Sequence, residues 1–430
     1  MRKWMLVGLA FVFMANLAYA AYAEKSPVNN SHSKKRVSKN KVKVRKEDPY
    51  KAYLIVEATT GKVLEGYNTD FRWPPASVTK LMLSYIVLEK LQGGKLSLTD
   101  RIKVSKNAER MGGSQVFLKA GEVYSLEEMM KATLIASAND AAYAIAESIA
   151  GTADKFVDLM NEKAKALNMV DTVYHSVNGL PPPKGGQEDF TTCQDLFKLA
   201  RALLKYPKLL EWTSLKNAPF RNGKTIMNNH NRLLKKMPIM DGLKTGYYRK
   251  AGYNIVATAK KGGLRLIAIM MGSPTSRTRD RIVADKLNRH FSRCEMVTII
   301  RKGELIDRDI ILADSRQKKI KGIANETFSY PLLRGKKNTI KKEISLPERW
   351  EGEIKKDQKL GEIAIKVEDE LVGKIDIVSP VDIPRSDLVY KISERLSRVQ
   401  EKGGRGLIKV EQDLTLEKVL KTGGSNLNIR

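Results

Sequence analysis

The chain has 430 residues, 42% of them hydrophobic, enough for two domains with a sizeable buried core. Only Cys193 and Cys294 are present, which excludes a disulfide framework and a Cys-based metal site, while His32, His175, His230 and His290 lie too far apart for a zinc-binding pair, so no metal or cofactor is expected. A formal charge of +29 would suit nucleic acid in a cytosolic protein, but the N-terminus points to export, leaving anionic wall polymers or lipid as partners and no nucleic acid.

Arg2 and Lys3 precede an apolar stretch from Trp4 to Leu17, followed by small-residue exits at Ala18-Tyr19-Ala20 and Ala21-Tyr22-Ala23. Residues 1–23 therefore read as a signal peptide, too short in apolar core for a bilayer span, and place the mature chain in the periplasm or cell envelope. Residues 24–48, polar and dense in Lys and Arg, predict a basic disordered linker. Ala52 to Val56 and Val63 to Tyr67 predict a β-hairpin across Thr59-Thr60-Gly61-Lys62. Pro74 and Pro75 stop this structure, and an apolar helix is expected from about Ser77 to Leu91. Ser125 and Glu128 form a capping box ahead of a helix through Leu134, and a break at 137–139 separates it from a second helix, Asp140 to Ala150, closed by Gly151. Helical spacing recurs at Phe156, Met160, Ala164 and Leu167, and again at Leu196, Leu199 and Leu203. Tyr253 to Ala259 and Leu264 to Met271 predict an antiparallel pair, and a helix follows from Arg279 to Phe291. Beyond Cys294 the short β-prone runs 296–300, 306–312, 361–367 and 371–378 predict a small all-β domain. The predicted divisions are a catalytic domain over 49–293, the β-rich domain over 294–385, and a tail over 386–430. In the tail, Leu388, Ile392, Leu396 and Val399 share a helical face beside Lys391, Arg395 and Arg398, a basic stripe suited to weak association with an anionic membrane.

Three short motifs carry chemistry. Ser77-Val78-Thr79-Lys80 places a hydroxyl and an amine at i and i+3 on one face at a helix start, where backbone N–H groups can hold an oxyanion. A lysine in a partly buried, cation-rich pocket loses its proton near neutral pH and serves as base. Ser137-Ala138-Asn139 lies in an interhelix break that can aim both side chains into a cleft. Lys244-Thr245-Gly246 reads as a strand edge whose glycine lets a substrate backbone lie alongside. Each motif alone is unspecific: Ser31 with Lys34, Ser38 with Lys41, Ser38-Lys39-Asn40, Ser105-Lys106-Asn107 and Lys421-Thr422-Gly423 match as well. Only the set at 77, 137 and 244 joins the right order to helix-start, turn and strand contexts.

On these motifs, together with PPASVTKLM, GGSQVFLKAGE, LIASANDAAYAIAE, DGLKTGYY, AGYNIVATAKKGGLRLIAIMMG and GKIDIVSPVDI, the chain resembles the low-molecular-mass penicillin-binding proteins, the serine D-Ala-D-Ala carboxypeptidases of peptidase family S11, over roughly residues 50–385. The resemblance implies an α+β fold: a β-lactamase/transpeptidase-like domain with helices around an antiparallel sheet, then the family's small all-β domain. It implies peptidoglycan stem peptides as substrate and β-lactams as covalent inhibitors. Ser77 would attack the carbonyl of the penultimate D-alanine, Lys80 would take its proton, and Ser137 would relay a proton to the leaving amine. Asn139 would bind the substrate amide, the N–H groups of Ser77 and Tyr247 would form the oxyanion hole beside Gly246, and Lys244, Thr245 and Arg279 would face the terminal carboxylate. Tyr247 stands where some relatives carry His, and His175-Ser176-Val177-Asn178-Gly179-Leu180 replaces the usual Asn-Pro-x-Gly-Leu. The alternatives are a β-lactamase, with Glu188 or Asp189 activating a deacylating water, a D-Ala–diaminopimelate endopeptidase, and a non-catalytic wall-binding or β-lactam-sensing module.

Overall fold

The computed structural model describes residues 49–181, 185–313 and 315–385, together with Ile392. The expected signal peptide and linker, and all of the tail but Ile392, lie outside the described residues.

Five strands make one antiparallel sheet: β1 (Ala52–Glu57), β2 (Val63–Tyr67), β3 (Met240–Tyr248), β4 (Gly252–Lys261) and β5 (Leu264–Ser273), in spatial order β2-β1-β5-β4-β3. Successive side chains leave a strand on opposite faces, so Ala52, Leu54 and Val56 enter one hydrophobic core while Tyr53 and Ile55 enter another. The first core is completed by α1 (Lys80–Gln92), α2 (Leu126–Leu134), α3 (Asn139–Ala150), α4 (Ala153–Ala166) and α5 (Cys193–Leu203). The second lies under α6 (Ser276–Arg293), which contributes Val283, Leu287 and Phe291. Because β3 has a neighbour on one side only, its outer backbone edge is left for other pairing.

The β1–β2 hairpin, the α2–α3 pair and the β4–β5 pair stand where the sequence puts them. The capping box forms as expected: Ser125 Oγ accepts from the Glu128 N–H, and Glu128 Oε2 accepts from the Ser125 N–H at 3.0 Å. The helix expected at Ser77 starts instead as a single 3-10 turn, Ala76–Thr79, and becomes α-helical at Lys80. Two antiparallel strand pairs, Arg101–Lys103 with Val123–Ser125 and Asn217–Phe220 with Thr225–Asn228, have no counterpart in the sequence reading. Strands of three or four residues are too short to show a period of two.

From Cys294 to Arg385 the described residues are almost entirely β. Cys294–Ile300 pairs with Phe328–Leu333, and a six-stranded sheet runs in the order Ile340–Ser345, Lys359–Val367, Glu370–Val378, Lys319–Ala324, Leu305–Leu312, Arg349–Trp350. Its core gathers Ile300, Ile310, Ile363, Ile365, Ile375 and Ile377. Lys319–Ala324 and Ile340–Ser345 escape sequence reading because adjacent lysines and a glycine dilute their apolar alternation. Among the described residues no helix is long and apolar enough to cross a membrane.

Candidate active site

The nucleophile turn is held from three directions. Asn254, buried in β4, donates from Nδ2 to the Pro74 carbonyl at 2.8 Å. Gly246 of β3 passes so near that a β-carbon there would lie 2.5 Å from the Pro75 oxygen and 3.0 Å from the Ser77 nitrogen. Gly179, at a φ of +76°, packs closer still: a β-carbon would lie 2.0 Å from the Ala76 oxygen. Only glycine permits both approaches. Ala76 itself has a φ of 51°, a left-handed conformation that a non-glycine residue keeps only where its surroundings impose it. Ser77 emerges half-buried, and Lys80, one turn later, is fully buried.

Lys80 Nζ lies 2.6 Å from Asn139 Oδ1, 2.8 Å from the Asn178 carbonyl oxygen and 2.9 Å from Ser77 Oγ. Burial pushes its pKa well below the ordinary lysine value, and the charge of Lys244 pushes the same way against the pull of Asp140 and Asp189. A neutral amine has two N–H bonds and one lone pair. With both N–H bonds taken by Asn139 and Asn178, the lone pair is left for the Ser77 hydroxyl.

Ser137, with a φ of 60°, meets Lys244 instead: Lys244 Nζ donates to Ser137 Oγ at 2.8 Å and to the Thr245 carbonyl at 2.9 Å. Burial, and behind it the charge of Arg279, pull the Lys244 pKa down to about 7. Asn139 spends its amide at both ends, Oδ1 on Lys80 and Nδ2 on the Gly112 carbonyl at 2.7 Å, so binding a substrate amide requires an exchange of partner. Arg279 is buried; its Nε and Nη2 donate to Asp280 Oδ1 at 2.9 and 2.7 Å, and Nη1 to the Asn254 carbonyl at 3.2 Å. Thr245 is buried in β3, whereas Tyr247 stands exposed beside it. The geometry thus joins Ser77, Lys80 and Asn139 directly, links Ser137 to Lys244, and holds Arg279 behind β4.

The competing Ser105 is a helix cap, accepting from the Ala108 N–H and donating to Glu147. Glu188 is engaged by the Tyr248 hydroxyl at 3.0 Å and Lys250 at 2.6 Å. Asp189 accepts from Thr79 Oγ1, the His175 N–H and Ser176 Oγ, pinning the 175–180 loop to the nucleophile helix. Burial raises the Asp189 pKa in spite of those three donors. Asp140 likewise accepts from the Val116 and Leu118 N–H groups, fixing the loop that carries Gly112. Sequence reasoning noted Asn178 and Gly179 only as part of the variant 175–180 loop, with no role, and missed Asp140 and Asn254 as parts of the site. An Asn within the apolar run of β4 was the one local signal.

The paired lysines set the pH dependence. Acylation is expected to rise with pH as Lys80 loses its proton, and to fall again as Lys244 loses the charge that would hold a carboxylate. A bound carboxylate favours charged Lys244, so the alkaline limb should lie higher in kcat than in kcat/KM, which reports the free enzyme. A kcat/KM that shows no fall above about pH 7 would take Lys244 out of carboxylate binding.

A half-buried serine facing a buried lysine whose pKa is pushed down, a second serine–lysine pair and an open glycine strand edge make an acyl-transfer site of the transpeptidase-like class. The profile of the peptidase S11 family, D-alanyl-D-alanine carboxypeptidase, matches residues 38–275, and that of the penicillin-binding protein 5 C-terminal domain matches residues 295–385. The chain is 33% identical over 343 residues to the D-alanyl-D-alanine carboxypeptidase DacF of Bacillus subtilis, covering 79% of this chain and 87% of that protein. The crystal structure of penicillin-binding protein 5 from Haemophilus influenzae superposes with a TM-score of 0.68 at 26% identity, covering 78% of this chain and 98% of that one. Penicillin-binding protein D2 of Listeria monocytogenes in its ampicillin-bound form superposes at 0.51 with 30% identity, covering 56% and 96%. The chain belongs to the peptidase S11 family: it is a serine-type D-Ala-D-Ala carboxypeptidase of the penicillin-binding, cell-envelope group, with a transpeptidase-like α+β domain followed by a β-rich one.

Proposed function

We propose that the protein removes the terminal D-alanine from peptidoglycan stem pentapeptides through an acyl-enzyme on Ser77. The observation that carries this is the buried Lys80 amine, 2.9 Å from Ser77 Oγ and held in place by Asn139 Oδ1 and the Asn178 carbonyl. In this reading Lys80 takes the hydroxyl proton as Ser77 Oγ bonds to the penultimate carbonyl carbon. The oxyanion is met by the Ser77 and Tyr247 N–H groups at the Gly246 approach. Collapse breaks the amide bond, the leaving amine takes a proton through Ser137, and water then releases the acyl group. Lys244 and Thr245 receive the terminal carboxylate, with Arg279 adding charge from behind Asn254. Asn139 orients Lys80 and exchanges a partner for the substrate amide.

The engaged carboxylates of Glu188 and Asp189 favour this over a β-lactamase, since neither is left to activate a water. The same reading includes export by residues 1–23, a basic linker over 24–48, domains over 49–293 and 294–385, and a tail over 386–430 with weak affinity for anionic membrane. It also makes β-lactams covalent inhibitors.

Incubation of the mature protein with a muropeptide pentapeptide, a cross-linked dimer and a penicillin, followed by mass, tests it. The expected result is release of D-alanine from the pentapeptide and one penicillin adduct mapping to Ser77, absent in Ser77→Ala. An adduct that persists in the variant overturns the assignment, and cleavage of the dimer alone would make the protein an endopeptidase.

A further inference from the structure

Alternate side chains of a strand share a face, so Thr245 and Tyr247 leave β3 on the same side. Their partners across the ladder are Ile255 and Tyr253 of β4. The Tyr247 and Tyr253 rings stack with centroids 4.1 Å apart and planes 24° from parallel. Tyr247 is 54% exposed on an edge strand, a large aromatic left open to solvent two residues from Thr245. Arg279 is carried by α6, whose Val283 and Leu287 share a core with Ile255, so the cationic corner and the two rings belong to one face of the β3–β4 pair. On the opposite face, Gly246 lies against the Ser77 turn.

We propose that Tyr247, backed by Tyr253, forms an aromatic wall that limits the size of the leaving group. The proposal rests on the carboxypeptidase reading of the Ser77 site. With the scissile carbonyl at the Ser77 and Tyr247 N–H groups and the terminal carboxylate at Lys244 and Thr245, the leaving residue crosses the open outer edge of β3 and meets the Thr245–Tyr247 face. The methyl group of D-alanine fits against the ring. A branched D-side chain or the remainder of a cross-bridge meets a ring that cannot swing back, because Tyr253 occupies the space behind it. Tyr253 touches no substrate in this arrangement; it is a positioning residue, and Tyr247 is the contact.

The test compares kcat/KM for two otherwise identical stem pentapeptides ending in D-alanine and in D-leucine, with a cross-linked dimer as the larger probe. The wild-type protein should strongly favour D-alanine. Tyr247→Ala and Tyr253→Ala should each raise the D-leucine to D-alanine ratio about tenfold, and the dimer's relative rate should rise with it. Tyr253→Phe keeps the stacking ring and should keep the wild-type ratio. An unchanged ratio in Tyr247→Ala, whose exposed side chain makes misfolding a poor explanation, overturns the wall. A shift in Tyr253→Phe as large as in Tyr253→Ala overturns the positioning role. If the wild-type protein gives a Ser77 adduct and releases D-alanine while these ratios stay fixed, only the wall fails. If it releases none, the reading beneath it fails.

Discussion

Lys80→Ala is expected to slow penicillin acylation by about four orders of magnitude, because it removes the only lone pair that the geometry directs at Ser77. Lys80→Arg should be as inactive, since a guanidinium keeps its proton at any working pH. The two variants should differ in stability. In the native site Lys80 is fully buried with its pKa well below the ordinary 10.5, so the unfolded chain binds more protons than the folded one between those two values. Wild-type stability should therefore gain from this residue's titration as pH rises across that window, and Lys80→Ala should lose that gain. Lys80→Arg places a permanent charge beside Lys244 and should destabilise the fold by roughly 3 kcal/mol. Acylation followed by intact mass, with melting curves at several pH values, checks both parts. Normal acylation in a normally folded Lys80→Ala would move the base to another residue.

Gly179→Ala should reduce acylation at least about a hundredfold and lower the melting temperature as well. The added carbon would sit 2.0 Å from the Ala76 oxygen, 2.3 Å from its carbonyl carbon and 2.9 Å from the Ser77 nitrogen, so either the loop or the nucleophile turn has to move. Misplacing the serine by about 1 Å is enough for such a loss. Gly151→Ala supplies the control. Gly151 has a similar φ of +81° but open space around its Cα, so it isolates the backbone strain from the collision. That variant should cost about 1 kcal/mol of stability and leave acylation unchanged. Equal acylation losses in the two variants would mean that strain, not displacement of Ser77, is responsible.

What the sequence reveals and what it conceals divide along a physical line. The i, i+3 spacing of Ser77 and Lys80, the capping box at Ser125 and Glu128, and the turn between β4 and β5 are local relations, legible because the partners lie within a few residues. The α+β layout followed by β strands is legible too, since apolar periodicity changes after Cys294. The contacts that make Lys80 a base are of another kind. Asn178 reaches it through a main-chain oxygen, 98 residues away in the chain, and a carbonyl leaves no mark in composition. Gly179 and Gly246 read as ordinary loop and strand glycines until the turn at Ala76 is folded against them. The partners of Arg279, Asp280 and the Asn254 carbonyl, are likewise not legible from its place in the sequence, where the resemblance implies only that it faces the terminal carboxylate.

The carbonyl of Asn178 also bears on how such a site can drift over time. A main-chain acceptor can be supplied by any residue that lets the loop take this path, so natural variation at 178 can change the side chain and keep the acceptor, provided Ser176 still ties the loop to Asp189. The neighbouring Gly179 has no such latitude, because its contact depends on having no side chain at all. Diversity among homologous sequences should accordingly fall sharply over a single peptide bond. A replacement of Val177 or Asn178 that lowers activity would then be acting through the shape of the loop, and a second substitution restoring that shape should restore the rate.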